Sequence, residues 1–422
     1  MAIRSAVPPA PILAVAVPFR ERLLQLVLYI TVLASSLAFI EPSPHDYLMG
    51  VLALACIAAG VRLERRIALL LLLLLAWNLG GIIALLNVPT DERSVQYVAT
   101  SVYLALAAII FAGVFAQNSM ARLDKMRSAY TLTAILTTLL GFAVYVHLLP
   151  DRHEFLLFGR IKSTFKDPNV FGPFLILPAM LLIEDMVTRG VRFGKLVTTL
   201  ILLTGIFFSY SRGAWINFAL STAVLLTFIF LTAPTPRARM RPILLTIASA
   251  VGLALALAAL LSIQSVRDML LDRAHLTNYY DVGEGGRFDL QEIAVGLLFD
   301  KPFGLGPFEF SRLYGTQQHN VYLQGFMVYG WLGGISYITL ILTTLYVGLR
   351  NALVRSPWQP YAIAAFATFV GIVAESFVID SDHWRHFFLL LGLIWGLAAA
   401  NAKLRRNGSH SNGALRLLAE IS

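Results

Sequence analysis

The chain has 422 residues, 58% of them hydrophobic and only 14% charged, with a mean hydropathy of +0.73 and a formal net charge of +9. So apolar a composition excludes an ordinary soluble domain. No long basic run, zinc pattern or RNA-binding motif accompanies the positive charge, which excludes a nucleic-acid partner.

Apolar stretches of about 20 residues, long enough to cross a hydrocarbon core, recur along the sequence. They fall near 23–40, 46–61, 67–87, 95–116, 130–149, 170–187, 196–210, 214–232, 243–263, 321–349, 361–379 and 386–402. An all-α polytopic membrane protein of about twelve transmembrane helices is expected. Basic residues mark every second connection. Arg4, Arg20 and Arg22 precede the first stretch, and Arg62, Arg65 and Arg66 follow the second. Arg122, Lys125 and Arg127 follow the fourth, Arg189, Arg192 and Lys195 the sixth, and Arg237, Arg239 and Arg241 the eighth. Arg350 and Arg355 follow the tenth, and Lys403, Arg405, Arg406 and Arg416 lie beyond the last. The positive-inside rule makes these connections and both termini cytoplasmic. Twelve of the 33 Lys and Arg are left on the outer side, mostly in three connections, and orientation does not explain them.

The lone cysteine, Cys56, lies within the second stretch, so an intrachain disulfide and a cysteine metal cluster are both excluded. Residues 1–20 show no convincing cleavage site, and the first span is expected to act as an uncleaved signal-anchor. The two-sided topology fits a bacterial inner membrane. The early spans read as scaffold, with Asn78, Gly80 and Gly81 allowing close helix packing.

The first unusual outer connection is 150–169, which collects Arg152, His153, Arg160, Lys162 and Lys166 before Asp167 and Pro168 open the next helix. Arg152 and Lys166 read as a solvated rim. Arg160, between Gly159 and the following Ser-Thr-Phe, is better placed as a ligand. The second is Tyr210-Ser211-Arg212-Gly213, so short that Arg212 must sit at the end of the bundle. A planar guanidinium there suits a phosphate or carboxylate. The third, 264–318, is long for a helical bundle and reads as a functional lid or binding segment. In it Gly285 and Gly286 precede Arg287 and an amphipathic helix, a helix start to which an anion can be bound. The spacing is neither Walker nor Rossmann.

That connection runs into 300–334, which is punctuated by glycines and carries His319-Asn320 just before a new apolar helix. Imidazole is the side chain whose charge changes near neutral pH. Arg160, Arg212 and Arg287 supply one guanidinium from each unusual connection, as fixed charge against a leaving group that becomes negative. His319 is the candidate base for an incoming hydroxyl. Asn320 would orient it or that hydroxyl, while Phe165, Trp215, Tyr314 and Tyr322 could stack on a ligand. Asp281, Glu284, Asp289 and Glu309 would bind the ligand or pair with the arginines. Asp380, Asp382, His383, Arg385 and His386 make a polar outer connection read as a gate or rim, with a spacing that matches no metal site. Glu375 lies inside a span, where a carboxylate needs a partner.

The segments GRIKSTFKDPNVFGPFL (159–175), YSRGAW (210–215), GGRFDLQEIAV (285–295), PFGLGPFEF (302–310) and HNVYLQGFMVYGWLG (319–333) resemble, in order, the bacterial O-antigen ligase and O-antigen polymerase superfamily. The last fits the ligase-type pattern His, Asn, nine residues, Gly, two residues, Gly, at His319, Asn320, Gly330 and Gly333. The resemblance covers roughly 155–390; the first four spans match only as generic membrane helices. It implies a fold similar to the GT-C-type membrane glycosyltransferases. It also implies transfer of a glycan from undecaprenyl diphosphate, on the periplasmic side, to a sugar hydroxyl of lipid A-core or of a carrier-linked, growing polysaccharide. No metal or cofactor is implied. His319, Arg212 and Arg287 would be catalytic, and Arg160, Lys162, Asn320 and Tyr314 would bind substrate. The partners would be the lipid-linked donor, the acceptor glycan and membrane lipids.

The chain then divides into scaffold helices over 1–150, helices with donor-binding outer loops over 151–263, a long periplasmic loop over 264–320, and C-terminal helices with a cytoplasmic tail over 321–422. The rivals are an O-antigen or exopolysaccharide repeat-unit polymerase of the same superfamily and, from another class, a multi-span polysaccharide or lipid flippase. A transporter tends to carry internal repeats and broken mid-membrane helices. Here no half resembles the other, and the polar residues gather in outer loops.

Overall fold

The computed structural model describes residues 17–88, 91–150, 153–274 and 279–420; Arg4 and Arg152 lie outside them. The described chain is helical apart from one small antiparallel hairpin, β1 (Leu156–Leu157) and β2 (Arg160–Ile161). Helices stand where all twelve spans are expected. They are α1 (Phe19–Leu33), α2 (Pro44–Ala58), α3 (Ala68–Ala84), α4 (Glu92–Phe115) and α5 (Ser119–Tyr145), then α6 (Pro168–Phe174) continued by α7 (Ile176–Arg189). Next come α8 (Phe193–Phe208), α9 (Arg212–Thr232) and α10 (Pro236–Leu261). The long connection is itself helical, with α11 (Gln264–Ala274), α12 (Tyr279–Val282), α13 (Arg287–Leu297) and α14 (Glu309–Tyr314). The chain closes with α15 (Val321–Leu353), α16 (Gln359–Glu375) and α17 (Arg385–Glu420). Among the described residues, eight helices are long and apolar enough to cross a membrane, and α2, α8 and α16 are shorter apolar helices.

Several of these helices begin where a short polar side chain can take up an orphan backbone N–H. Asp91 accepts from the N–H of Arg93, Asp167 from that of Asn169, Ser211 from that of Ala214 and Thr235 from that of Ala238. Pro168 follows Asp167 in the first turn, as the sequence predicts.

The polar pairs sort to two ends of the bundle. At one end Arg122 binds Glu21, Tyr361 binds Asp124, Lys195 binds Asp185, and Trp358 donates to Asn401. These are the connections expected to be cytoplasmic. At the other end Lys166 meets Glu41, Arg385 forks onto Asp46, Arg212 meets Asp281, and Asn87 donates to the Gly304 carbonyl. The connections expected outside therefore converge on one face.

Two close approaches build that face. α3 and α15 cross where a Cβ on Gly80 would stand 2.5 Å from the Tyr329 carbonyl oxygen and 2.7 Å from the Gly333 nitrogen, the small-residue contact expected of Gly80. α15 is kinked at Gly330, whose backbone is left-handed (φ 66°, ψ −171°). The kink frees the Met327 carbonyl to accept from the Leu305 N–H at 2.6 Å, and Trp331 N–H donates to the Pro302 carbonyl at 2.8 Å. A Cβ on Gly330 would lie 2.7 Å from the Phe303 carbonyl carbon, so only glycine fits this position. The glycine-rich segment before α14 thus docks into the break in α15, which fixes where the preceding helix α13 can lie.

Candidate active site

α13 lies against α15, with Leu290 and Ala294 buried beside Met327 and Phe326. Its far end is tied down by the Trp331 indole N–H, which donates to the Leu298 carbonyl at 2.8 Å. The helix starts at a turn built from glycine: Gly285 is left-handed (φ 70°), and a Cβ on Gly286 would lie 2.6 Å from the Gly283 carbonyl oxygen. Asp289 reaches back to accept from the Gly285 N–H at 2.7 Å, so this carboxylate closes the helix start. Arg287, the first residue of α13, is thereby pointed across the outer face.

Arg287 meets a buried carboxylate. Its Nη1 lies 3.4 Å from Asp281 Oδ1, while Arg212 Nη2 lies 2.5 Å from Asp281 Oδ2. One carboxylate therefore gathers two guanidiniums that are 75 positions apart in sequence. Arg212 is delivered by the tight link between α8 and α9, in which Tyr210 is left-handed (φ 46°) and Ser211 caps α9.

Facing Arg287 across a cavity of about 320 Å³ is His319. The remaining walls are Glu284, Gly285, Gly286, Leu290 and Thr316. His319 is left-handed (φ 48°), a conformation uncommon outside glycine, and sits directly before α15. Its Nδ1 lies 3.5 Å from Asp380 Oδ2, at ion-pair distance. Asp380 is brought there because the Val321 N–H donates to the Ser376 carbonyl and the Ser376 and Ser381 hydroxyls bond at 2.6 Å. Burial pushes the Asp380 carboxyl above the ordinary carboxylate range, against the opposing pull of His319. A carboxylate on Nδ1 favours the tautomer with a free Nε2, the arrangement of a positioned general base.

The expected site residues thus separate into two groups. Arg212, Arg287 and His319 come together, with Arg212 joined to the cavity through Asp281. The other four do not line that cavity. Arg160 is buried in β2, where its Nε donates to the Ser209 carbonyl at 2.9 Å and its Nη2 to Asn169 at 2.8 Å. It braces the residues leading to Arg212 and does not line the cavity, because a hairpin has folded it beneath the surface. Asn320 is the N-cap of α15, its amide oxygen accepting from the Tyr322 and Leu323 N–H groups. It fixes the backbone beside His319, not the imidazole. Lys162 is half-buried where the hairpin ends, its N–H on the Phe155 carbonyl, and does not line the cavity. The Tyr314 ring packs on Phe310 with centroids 4.8 Å apart and is likewise absent from the walls.

Asp380, read from sequence as a rim residue, is the partner of His319. The one sequence signal for it is the polar run after α16 on the same outer side. Glu375 also acquires its partner: Asn217 Nδ2 donates to its Oε2 at 2.7 Å, one turn beyond Arg212 on α9.

Two guanidiniums share one buried carboxylate, with Glu284 also on the cavity wall, beside an imidazole with a carboxylate behind it. Such a site can hold a polyanionic group and take a proton from a hydroxyl next to it. Residues 197–338 match the family model described as O-antigen ligase. No curated protein matches the chain. The matched stretch contains Arg212, Asp281, Arg287 and His319, together with the kink glycine Gly330 and the crossing glycine Gly333, so the part of the chain that builds the cavity is the part similar to that family.

Proposed function

We propose that the protein is a glycosyltransferase that moves a glycan from undecaprenyl diphosphate to a sugar hydroxyl on the periplasmic side of the inner membrane. One observation carries this reading: His319 and Arg287 line one cavity, and Arg212 is joined to Arg287 through Asp281. The Arg212 and Arg287 guanidiniums bind the donor diphosphate by charge-assisted hydrogen bonds. His319 Nε2 removes the proton from the acceptor hydroxyl as its oxygen attacks the anomeric carbon. The bond from that carbon to the diphosphate oxygen breaks, the electron pair leaves with the diphosphate, and the two arginines stabilise the charge that develops. Attack opposite the leaving group inverts the anomeric configuration. Asp380 stabilises the imidazolium formed when His319 takes the proton, as a buried carboxylate does behind a catalytic histidine.

Ligase and polymerase share this step and differ in acceptor, lipid A-core for one and a carrier-linked repeat for the other. The His319-Asn320-nine-Gly330-two-Gly333 pattern favours the ligase. The test is the purified full-length protein with a lipid-diphosphate-linked glycan and each acceptor in turn. His319→Ala is expected to abolish transfer while the protein still inserts and binds donor. Retained turnover in that variant overturns the base assignment. In cells, deletion should leave polymer stranded on its carrier if the acceptor is lipid A-core, and single-repeat products if it is another repeat. Unchanged glycans with altered transport would favour the flippase reading.

A further inference from the structure

The same face of the bundle holds a second cavity, of about 300 Å³. Its walls include Glu41, Arg93, Gln96, Thr100, Phe308 and His383. Arg93, Tyr97, Thr100 and Leu104 follow one another at three- and four-residue spacing, so a single face of α4 forms one wall. That wall descends about 16 Å from a polar rim to buried Leu104.

The chemistry of this cavity differs from that of the first. Its charges are largely matched: Arg385 forks onto Asp46, Lys166 meets Glu41 at 2.6 Å, and His383 Nδ1 lies 3.0 Å from Asp382. What it offers a ligand is a mixture of hydrogen-bond donors and acceptors, with the Tyr97 and Phe308 rings edge to face at 5.2 Å. A ring carrying several hydroxyls, each both donor and acceptor, meets such a lining better than a multiply charged group does. The volume is at the small end for ligand sites and suits one sugar residue.

The two cavities are neighbours. Asp380, the partner of His319, and His383, in the wall of the second cavity, are three residues apart, so their Cα atoms lie within about 11 Å. A chain of hydrogen bonds runs between the cavities: Gln318 donates to Gln324 at 2.8 Å, Gln324 to the Tyr97 hydroxyl at 3.0 Å, and Tyr97 to Asp382 at 2.7 Å. Gln318, Gln324 and Asp382 are buried, so this chain holds the two cavities in a fixed relation.

We propose that the second cavity is the acceptor subsite, binding a sugar residue of the acceptor glycan near the one whose hydroxyl His319 deprotonates. The inference rests on the glycosyl-transfer reading above. Two changes on the open side of α4 test it in the full-length protein: the double variant Gln96→Ala/Thr100→Val, which removes polar contacts, and Gln96→Trp, which fills the space. The probes are an undecaprenyl-diphosphate-linked glycan as donor, with either a deacylated lipopolysaccharide-core oligosaccharide or a carrier-linked repeat as acceptor. The KM for the acceptor should rise tenfold or more in both variants, while the KM for the donor and its slow hydrolysis by water stay within twofold of the parent. An unchanged acceptor KM in both variants overturns the subsite and leaves glycosyl transfer standing, and so does an equal rise in the donor KM. Absence of transfer by the unmodified protein with either acceptor overturns the glycosyl-transfer reading itself.

Discussion

Asp380→Asn is the perturbation that most directly separates a positioned base from a histidine that merely sits at a helix mouth. The substitution keeps the shape of the side chain and removes its charge. On the proposed mechanism His319 takes up the acceptor's proton in the transition state, and its imidazolium then faces a carboxylate oxygen 3.5 Å from Nδ1. Unit charges about 4 Å apart attract by about 4 kcal/mol at an effective dielectric of 20. The His319 side chain is 36% exposed, so water screening halves that to about 2 kcal/mol. The two limits correspond to a fall in kcat of about 30-fold to 1,000-fold. Initial rates at saturating donor measure it, with thermal melting and donor affinity as controls for folding. A kcat within threefold of the parent would refute the pairing.

The pH dependence gives a second readout of the same substitution. Burial raises the Asp380 carboxyl above its ordinary value, against the pull of His319, and the form that assists His319 is the ionised one. Its contribution is therefore present above the raised value and is lost as pH falls through it. The ratio of parent to Asp380→Asn activity should shrink on acidification, beginning above the usual carboxylate value of about 4. A ratio that stays constant from neutrality down to that value would show that Asp380 is not acting through its charge.

Three further outcomes follow from the contacts. Arg212→Lys keeps the charge but loses the planar fork, so kcat/KM for the donor should fall about 10- to 100-fold, the worth of one or two charge-assisted hydrogen bonds. Asn320→Ala should cost about 1 kcal/mol of stability through the lost cap, seen as a lower melting temperature, and Asn320→Asp should restore it; a fall in donor affinity with unchanged melting would instead assign Asn320 to the ligand. Gly330→Ala must drive a Cβ into the Phe303 backbone and should sharply lower folded yield. Gly315→Ala, at φ 87° with open space around it, should cost only about 1 to 2 kcal/mol.

The legible part of this protein is the part that composition and charge sidedness encode. The apolar stretches are helical because a chain in lipid must satisfy its own backbone, and eight of the helices among the described residues are long and apolar enough to cross a membrane. Arg212 and Arg287 stood out because cations on the disfavoured side need a reason, and one buried carboxylate, Asp281, holds both. Arg160 carried the same signal and yet serves the fold. Nothing local distinguishes a guanidinium folded under a hairpin from one at a cavity wall, because the difference lies in where the Ser209 carbonyl ends up. Asn320 is ambiguous for a related reason. An asparagine before an apolar helix reads equally as a cap or as a ligand, and here its amide oxygen takes two backbone N–H groups. Asp380 is separated from His319 by a whole helical hairpin, so the pairing exists only in the packed bundle.

Asp281 looks out of place in the proposed diphosphate site, since it bears the same sign as a diphosphate. Its two contacts explain it. The guanidinium nitrogens that touch its oxygens lie at most about 8 Å from each other, where two unit charges repel by at least about 2 kcal/mol at an effective dielectric of 20. Each guanidinium is attracted to the carboxylate by about twice that at roughly 4 Å. The pair is therefore gathered before any donor arrives. A clamp already assembled in this way needs no rearrangement as the glycosyl bond breaks, which is the condition under which fixed charge lowers a barrier. Asp281→Asn should therefore hurt kcat more than donor affinity: the added net charge favours binding while the arginines lose their common anchor. A variant with unchanged kcat and tighter donor binding would show that the arginines hold their places without it.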